Sequence, residues 1–281
     1  MKASLIPACP FPFAVLFLLC ISAAIGCRAQ LPPDRASAAT NVTTAKHPIA
    51  DSSSPNMAPD LASPTPTKLA PINPRLPTIF IAGDSTAARG AGETQQGWAV
   101  PFASYFDPTK VNVVNRARGG RSSRTFITEG LWDQLIATVK PGDIVLIQFG
   151  HNDQGAINDA SRARGSIRGI DEEVQEIDNL LTKKHEVVHT YGWYLRKMIA
   201  DTKAKGATPI VLSPTVRNVW KDGKVERGPG RYSQWAGEVA RNAGVQFIDV
   251  SQVVADKFQA MGEDAVKSLY QKDHTHFNAA G

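Results

Sequence analysis

Asp143-Ile-Val-Leu-Ile-Gln-Phe149, followed at once by Gly150-His-Asn-Asp153, decides the fold. Five of the first seven side chains are apolar and run without the alternation of a half-exposed strand. A strand that reads this way is covered on both faces, the situation of a parallel sheet between helices. The polar loop after it then lies at a carboxyl end of the sheet, where open α/β folds build their sites. Working outward, Thr78-Ile-Phe-Ile-Ala82, Val111-Asn-Val-Val114, Pro209-Ile-Val-Leu212 and Val245-Gln-Phe-Ile-Asp-Val250 read as further strands. Between them, Gly97–Tyr105, Phe126–Val139, Tyr191–Lys205, Tyr232–Asn242 and Gln252–Met261 read as helices. Gly206 and Gly244 stand where two of these helices should stop. The alternation predicts an α/β fold with a parallel sheet wrapped by helices.

The chain has 281 residues, 42% of them apolar and 20% charged, enough for one large domain with a real core. Its formal charge is +5. Six basic and three acidic side chains fall in residues 1–75, which leaves 25 against 23, or +2, for 76–281. This mild balance suits an acidic partner and does not call for nucleic acid. The three cysteines, Cys9, Cys20 and Cys27, precede everything that looks folded, so no disulfide or cysteine zinc site is available to the domain. Lys2 and the apolar run Phe11–Ile25 have the layout of a secretory leader over 1–27. Ala24-Ile-Gly-Cys27 resembles a bacterial lipobox that would attach lipid to Cys27; simple cleavage near Ala29 is the other outcome, since Leu usually stands in the place of Ala24. The expected location is secreted, periplasmic or at the cell surface, with that lipid as the only membrane attachment. Residues 28–75 hold nine prolines and no glycine or aromatic side chain, the composition of an extended, disordered tether. The folded domain is expected over 76–281.

At the predicted strand ends stand Gly83-Asp84-Ser85-Thr86, Gly119-Gly120-Arg-Ser-Ser-Arg124 and Gly150-His-Asn-Asp153, and near the end of the chain Asp273-His-Thr-His276. These are the parts for acyl transfer. A serine needs a base, which His276 or His274 can supply, and a carboxylate such as Asp273 can fix the tautomer of that base. The N–H groups of Ser85 and Gly120 and the Asn152 amide can serve an oxyanion. Asp84 and Asp153 suit structural hydrogen bonds, and His151 suits a wall of the pocket.

The four blocks, in this order, resemble those of the SGNH (GDSL-type) hydrolases, and within them most closely the rhamnogalacturonan acetylesterases. The resemblance covers essentially all of 76–281. It implies a three-layer α/β/α sandwich with a central parallel sheet, flavodoxin-like, and deacetylation of an acidic polysaccharide, pectin, without metal or other cofactor. It implies Ser85 as nucleophile, Asp273 and His276 as the acid–base pair, and Gly120 and Asn152 beside Ser85 in the oxyanion hole. The family spacing favours His276 over His274. The resemblance also implies a final helix beyond Gly281, and it leaves the polar stretch 154–189 without a counterpart.

Arg116, Arg118, Arg121 and Arg124 crowd one segment. Arg121 and Arg124 are candidates to pair with galacturonate carboxylates, because a guanidinium binds them in a bidentate fork; a solvated basic loop is the alternative. Trp98, Trp193, Trp220 and Tyr191 are candidates to stack on sugar rings. His185-Glu-Val-Val-His189 matches the H-E-x-x-H zinc signature, but Leu195 occupies the place of a third histidine. The apolar spacing starts the helix near Thr190, which would leave the motif outside it and point to His185, Glu186, His189 and Tyr191 as residues that line or lid the substrate cleft. The rival readings are an SGNH esterase of other specificity, for lipid or another glycan ester, and a non-catalytic polyanion-binding module.

Overall fold

The computed structural model describes residues 72–281. The predicted leader, Cys27 and all but the end of the proline-rich stretch lie outside them.

In chain order the elements are β1 (Thr78–Gly83), α1 (Ala99–Phe102) with a 3₁₀ turn (Ala103–Tyr105), β2 (Asn112–Asn115), α2 (Ser123–Thr128), α3 (Leu131–Ile136) and β3 (Ile144–Gln148). There follow β4 (Val174–Asp178), β5 (His185–His189), α4 (Tyr191–Ala204), β6 (Thr208–Leu212), β7 (Trp220–Lys221) and β8 (Lys224–Val225). The chain closes with α5 (Tyr232–Asn242), β9 (Gln246–Ile248), α6 (Val250–Met261) and α7 (Glu263–Lys267).

Five strands form one sheet in the order β2-β1-β3-β6-β9, every pair parallel. Counting only these strands the order is 2-1-3-4-5, the flavodoxin-like winding, whose direction reverses between β1 and β3. All six residues of β1 are buried, as a central strand requires. Its alternate side chains enter opposite layers. Phe80 and Ala82 join Phe126, Trp132, Leu135, Leu195, Met198 and Val239 from α2–α5. Ile79 and Ile81 join Ala99, with Trp98, Phe102 and Val250 packed alongside. Helices therefore cover both faces, and the three-layer α/β/α sandwich is the fold.

Local chemistry sets the boundaries. Thr190 caps α4 by accepting the Trp193 N–H, and Gly206 at φ 70° turns the chain beyond it. The expected helix 126–139 is instead two helices: α2 starts three residues earlier on a Ser122/Thr125 capping box, and Gly130 at φ 73° breaks the run before α3. The expected helix 97–105 is one α turn plus a 3₁₀ turn, ending before Asp107-Pro108, where the residue preceding proline disfavours helix. The stretch 154–189, unassigned from sequence, contains an antiparallel hairpin of β4 and β5 with Val174 opposite His189.

A third cluster of Val216, Val225, Ala255, Phe258, Val266, Tyr270 and Phe277 packs behind the C-terminal segment. Phe277 is its anchor there, and its carbonyl accepts the Gln96 N–H at 2.9 Å. Burying a side chain of this size stabilises by roughly 1.5–3 kcal/mol, and it fixes the residue directly before it, His276.

Candidate active site

Ser85 sits in the turn that leaves β1 at the reversal point of the sheet. Asp84, buried beneath it, accepts the Thr86 N–H and the Thr86 hydroxyl, each at 2.8 Å, and its carbonyl accepts the N–H groups of Ala87 and Ala88. This turn holds Ser85 at the surface of the sheet edge. Burial pushes the Asp84 carboxyl above its ordinary range, against the pull of the Thr86 bonds.

His276 Nε2 lies 2.7 Å from Ser85 Oγ across 191 positions of sequence, and His276 Nδ1 lies 2.7 Å from Asp273 Oδ2. The other carboxylate oxygen of Asp273 accepts the N–H groups of Thr275 at 2.7 Å and His276 at 2.8 Å. One side chain thus shapes the turn and orients the imidazole. Burial pushes the Asp273 carboxyl up, but the hydrogen bond and charge of His276 and the two N–H donors outweigh it and hold it far below the ordinary range. His274 is exposed, and among the described residues only its carbonyl is engaged, by the Asn218 N–H at 2.7 Å. His276 is the imidazole that meets the serine.

The loop after β2 continues to pair with β1: Arg116 N–H donates to Ile81 and Arg118 N–H to Gly83. That brings Gly120 to the same edge with φ 74°, a conformation that favours glycine. Conformation rather than crowding selects glycine here, since the nearest atom to an added Cβ would be Arg164 Nη1 at 3.5 Å. Asn152, buried after β3, donates one amide hydrogen to the Arg121 carbonyl at 2.9 Å, leaving the second uncommitted. Among the described residues the N–H groups of Ser85 and Gly120 have no acceptor. Three uncommitted donors therefore belong to the residues expected to serve an oxyanion.

Asp153 is fully buried and ties the loops together, accepting from the Ser123 N–H and hydroxyl and, at 3.1 Å, from the Ser166 hydroxyl. Burial raises its carboxyl to about 6. His151, also buried, meets Thr215 Oγ1 at 3.2 Å and is pushed down to about 3, first by burial and then by the charge of Arg217.

The residues expected to hold substrate fare differently. Arg124 is fully buried and faces Glu186 with two bonds of 2.7 Å, while its Nη1 donates to the carbonyls of Ile157 and Gly165. It is a structural ion pair, because the domain folds the 154–189 stretch over it. Tyr191 is likewise fully buried, its hydroxyl donating to the Phe149 carbonyl at 2.9 Å, so it packs in the core and lines no cleft. Arg121 is partly exposed but held by Glu129 at 2.9 Å and the Gly119 carbonyl at 3.0 Å. His189 stacks on Trp193 with ring centroids 3.7 Å apart. Trp98 donates to Gln148 at 2.6 Å and Trp220 to Asn218 at 2.8 Å, so both indole N–H groups serve internal partners. His185 and His189 lie on β5, where residues four apart stand ~13 Å apart. The helical geometry of a zinc motif is not formed, and its glutamate belongs to Arg124.

Sequence reasoning overlooked Arg164, whose Nη1 donates to the Gly120 carbonyl at 3.2 Å. It lies in a stretch without periodicity, so no local signal distinguished it from Arg162 and Arg168.

These features have relatives. A rhamnogalacturonan acetylesterase of Emericella nidulans is 36% identical over 204 residues, 73% of this chain and 79% of that protein. A Bacillus subtilis protein named "Probable rhamnogalacturonan acetylesterase YesY" is 30% identical over 208 residues, 72% of this chain and 86% of its own. The crystal structure of YxiM from Bacillus subtilis superposes with a TM-score of 0.58 at 25% identity, over 73% of this chain and 52% of that one. The sequence profile of the GDSL-like Lipase/Acylhydrolase family matches residues 81–281, a span running from the strand that delivers Ser85 past the turn that delivers His276. The chain belongs to that family, the SGNH hydrolases.

Proposed function

We propose that this protein is a serine esterase that removes acetyl groups from a pectic polysaccharide, rhamnogalacturonan, outside the cytoplasm. The observation that carries the chemistry is the unbroken contact from Asp273 Oδ2 through His276 to Ser85 Oγ, two steps of 2.7 Å. His276 takes the proton of Ser85 as Oγ attacks the acetyl carbonyl. The tetrahedral oxyanion is met by the N–H groups of Ser85 and Gly120 and the free hydrogen of the Asn152 amide. His276 then returns the proton to the departing sugar oxygen. Water activated by the same imidazole releases acetate from the acetyl-enzyme. Throughout, the ionised Asp273 keeps Nε2 bare for the serine and stabilises the imidazolium.

The substrate class is supported by the activity for which two relatives, each matching most of this chain, are named. The extracellular location is supported by the leader-like composition of 1–27. Acetate release from acetylated rhamnogalacturonan, homogalacturonan and xylan, with Ser85→Ala as control, tests the reading. Fastest release from rhamnogalacturonan is expected. Comparable rates on all three, or a preference for p-nitrophenyl octanoate over the acetate, would point to a different ester.

A further inference from the structure

A deacetylase of pectin meets a carboxylate on every galacturonate unit, yet both arginines that the sequence offered for that charge are engaged by glutamates, Arg121 by Glu129 and Arg124 by Glu186. Arg164 is placed differently. It comes from the 154–189 stretch and reaches back to the loop after β2, where Nη1 donates to the Gly120 carbonyl at 3.2 Å. A Cβ added to Gly155 would lie 3.5 Å from Arg164 Cγ, and the Gly155 N–H closes a turn on the Asn152 carbonyl at 3.1 Å. The guanidinium is thus lodged between the turns that carry Gly120 and Asn152, the two oxyanion donors proposed beside Ser85.

Its charge has no partner in contact: Nη1 on the Gly120 carbonyl is the guanidinium's one hydrogen bond among the described residues. Among the described residues none of its nitrogens is both fully buried and unpaired, so the remaining N–H groups are not sealed from solvent. The side chain is half-buried; burial and then the charges of Arg162 and Arg121 bring its pKa down to about 10 against the opposing pull of the buried Asp84 and Asp153, which leaves it a cation at neutral pH. A half-buried cation with no carboxylate in contact is stabilised by an incoming anion, and the planar fork suits a carboxylate. Beside it opens a cleft of about 600 Å³ whose lining includes Gln154, Gly155, Ser166 and Arg168, from both flanks of Arg164, and one carboxylate, Glu173.

We propose that Arg164 is the specificity-determining residue for acidic substrate: its open N–H groups pair with the carboxylate of a galacturonate unit at or next to the acetylated sugar, while the polymer runs into the adjoining cleft. This rests on the pectic reading above.

The test compares wild type, Arg164→Gln and Arg164→Lys on acetylated rhamnogalacturonan, on the same polymer with its carboxyls reduced to alcohols, and on p-nitrophenyl acetate. Arg164→Gln should lower kcat/KM on the acidic polymer by about 10- to 100-fold, chiefly through KM, and at least about tenfold more than on either neutral substrate. Arg164→Lys should recover part of the loss. Wild type should itself lose a comparable factor when the carboxyls are reduced, a comparison that needs no variant to fold. Equal wild-type activity on the two polymers, or an equal loss by Arg164→Gln on all three substrates, overturns the assignment while leaving the pectic reading intact. Wild type that cleaves p-nitrophenyl acetate but releases no acetate from either polymer overturns both.

Discussion

Arg124 and Glu186, 62 positions apart, meet in a buried two-pronged pair, Nε to Oε1 and Nη2 to Oε2, both at 2.7 Å. The pair fastens the β4–β5 hairpin to the start of α2, directly behind the loop that carries Gly120. Asn179 donates to the same glutamate at 2.8 Å, and these bonds together hold the Glu186 carboxyl below its usual range even though burial alone would raise it. Removing one partner leaves a buried charge alone, which costs about 3–5 kcal/mol. Glu186→Ala and Arg124→Met should each lower unfolding free energy by that amount, seen as a fall in melting temperature of order 10 °C. Arg124→Lys should recover little, since one ammonium cannot match the fork and the two carbonyls. A change below about 1 kcal/mol would class the contact with exposed surface bridges.

Ser85→Ala should lower kcat by several orders of magnitude with little change in stability, since among the described residues the side chain has His276 as its one hydrogen-bond partner. Asn152→Ala should lower kcat by roughly 10²–10³ through the lost oxyanion donor. A fluorophosphonate should label wild type at Ser85 and leave Ser85→Ala unlabelled. A wild-type chain that resists labelling would favour a binding module over an esterase.

The fold was legible because the sheet is parallel and buried: β1 and β3 are apolar on both faces, so their runs stand out without any periodicity. The polar blocks following the strands came to one edge because the topology sends every carboxyl end there. Less local matters were hidden. The apolar spacing over 126–139 runs on through Gly130, whose positive φ separates α2 from α3. The β4–β5 hairpin is short and largely exposed, so its alternation of Ile177 and Val188 with polar neighbours gave a weak signal among many charges. Arg124 reads like its neighbours Arg121 and Arg118. What buries it is a glutamate 62 residues later, a relationship no local pattern contains.

His151 gives the site a signature on its acid side. The groups that face it are Thr215, Arg217, His274 and His276, and burial, followed by the charge of Arg217, lowers its pKa from 6.5 to about 3. Below pH 6.5 the unfolded chain takes a proton that the folded chain refuses. The stabilisation is therefore complete above 6.5 and is lost as pH falls toward about 3. Asp153 acts in the opposite sense: its folded value of about 6 lies above 3.8, so its buried charge ceases to destabilise as pH drops through that window. Urea unfolding at pH 7, 5.5 and 4.5 should show His151→Gln losing less stability than wild type, the gap narrowing by about 1.4 kcal/mol per pH unit below 6.5. Parallel profiles would mean that His151 takes up a proton as readily in the folded chain.

Asp273→Asn separates orientation from bulk. Oδ1 accepts two backbone N–H groups, from Thr275 and His276, so an asparagine must place its carbonyl oxygen there and its NH₂ group where Oδ2 meets His276 Nδ1. Two donors cannot face each other, and the imidazole answers by moving its proton from Nδ1 to Nε2. The Nε2–H then points at Ser85, and the base has no lone pair for the hydroxyl. The turn itself keeps its bonds. The variant should therefore fold with a stability change near 1 kcal/mol while kcat falls by about 10⁴, the factor expected for the wrong tautomer. A loss of less than about tenfold would show that Ser85 is activated by some group other than His276.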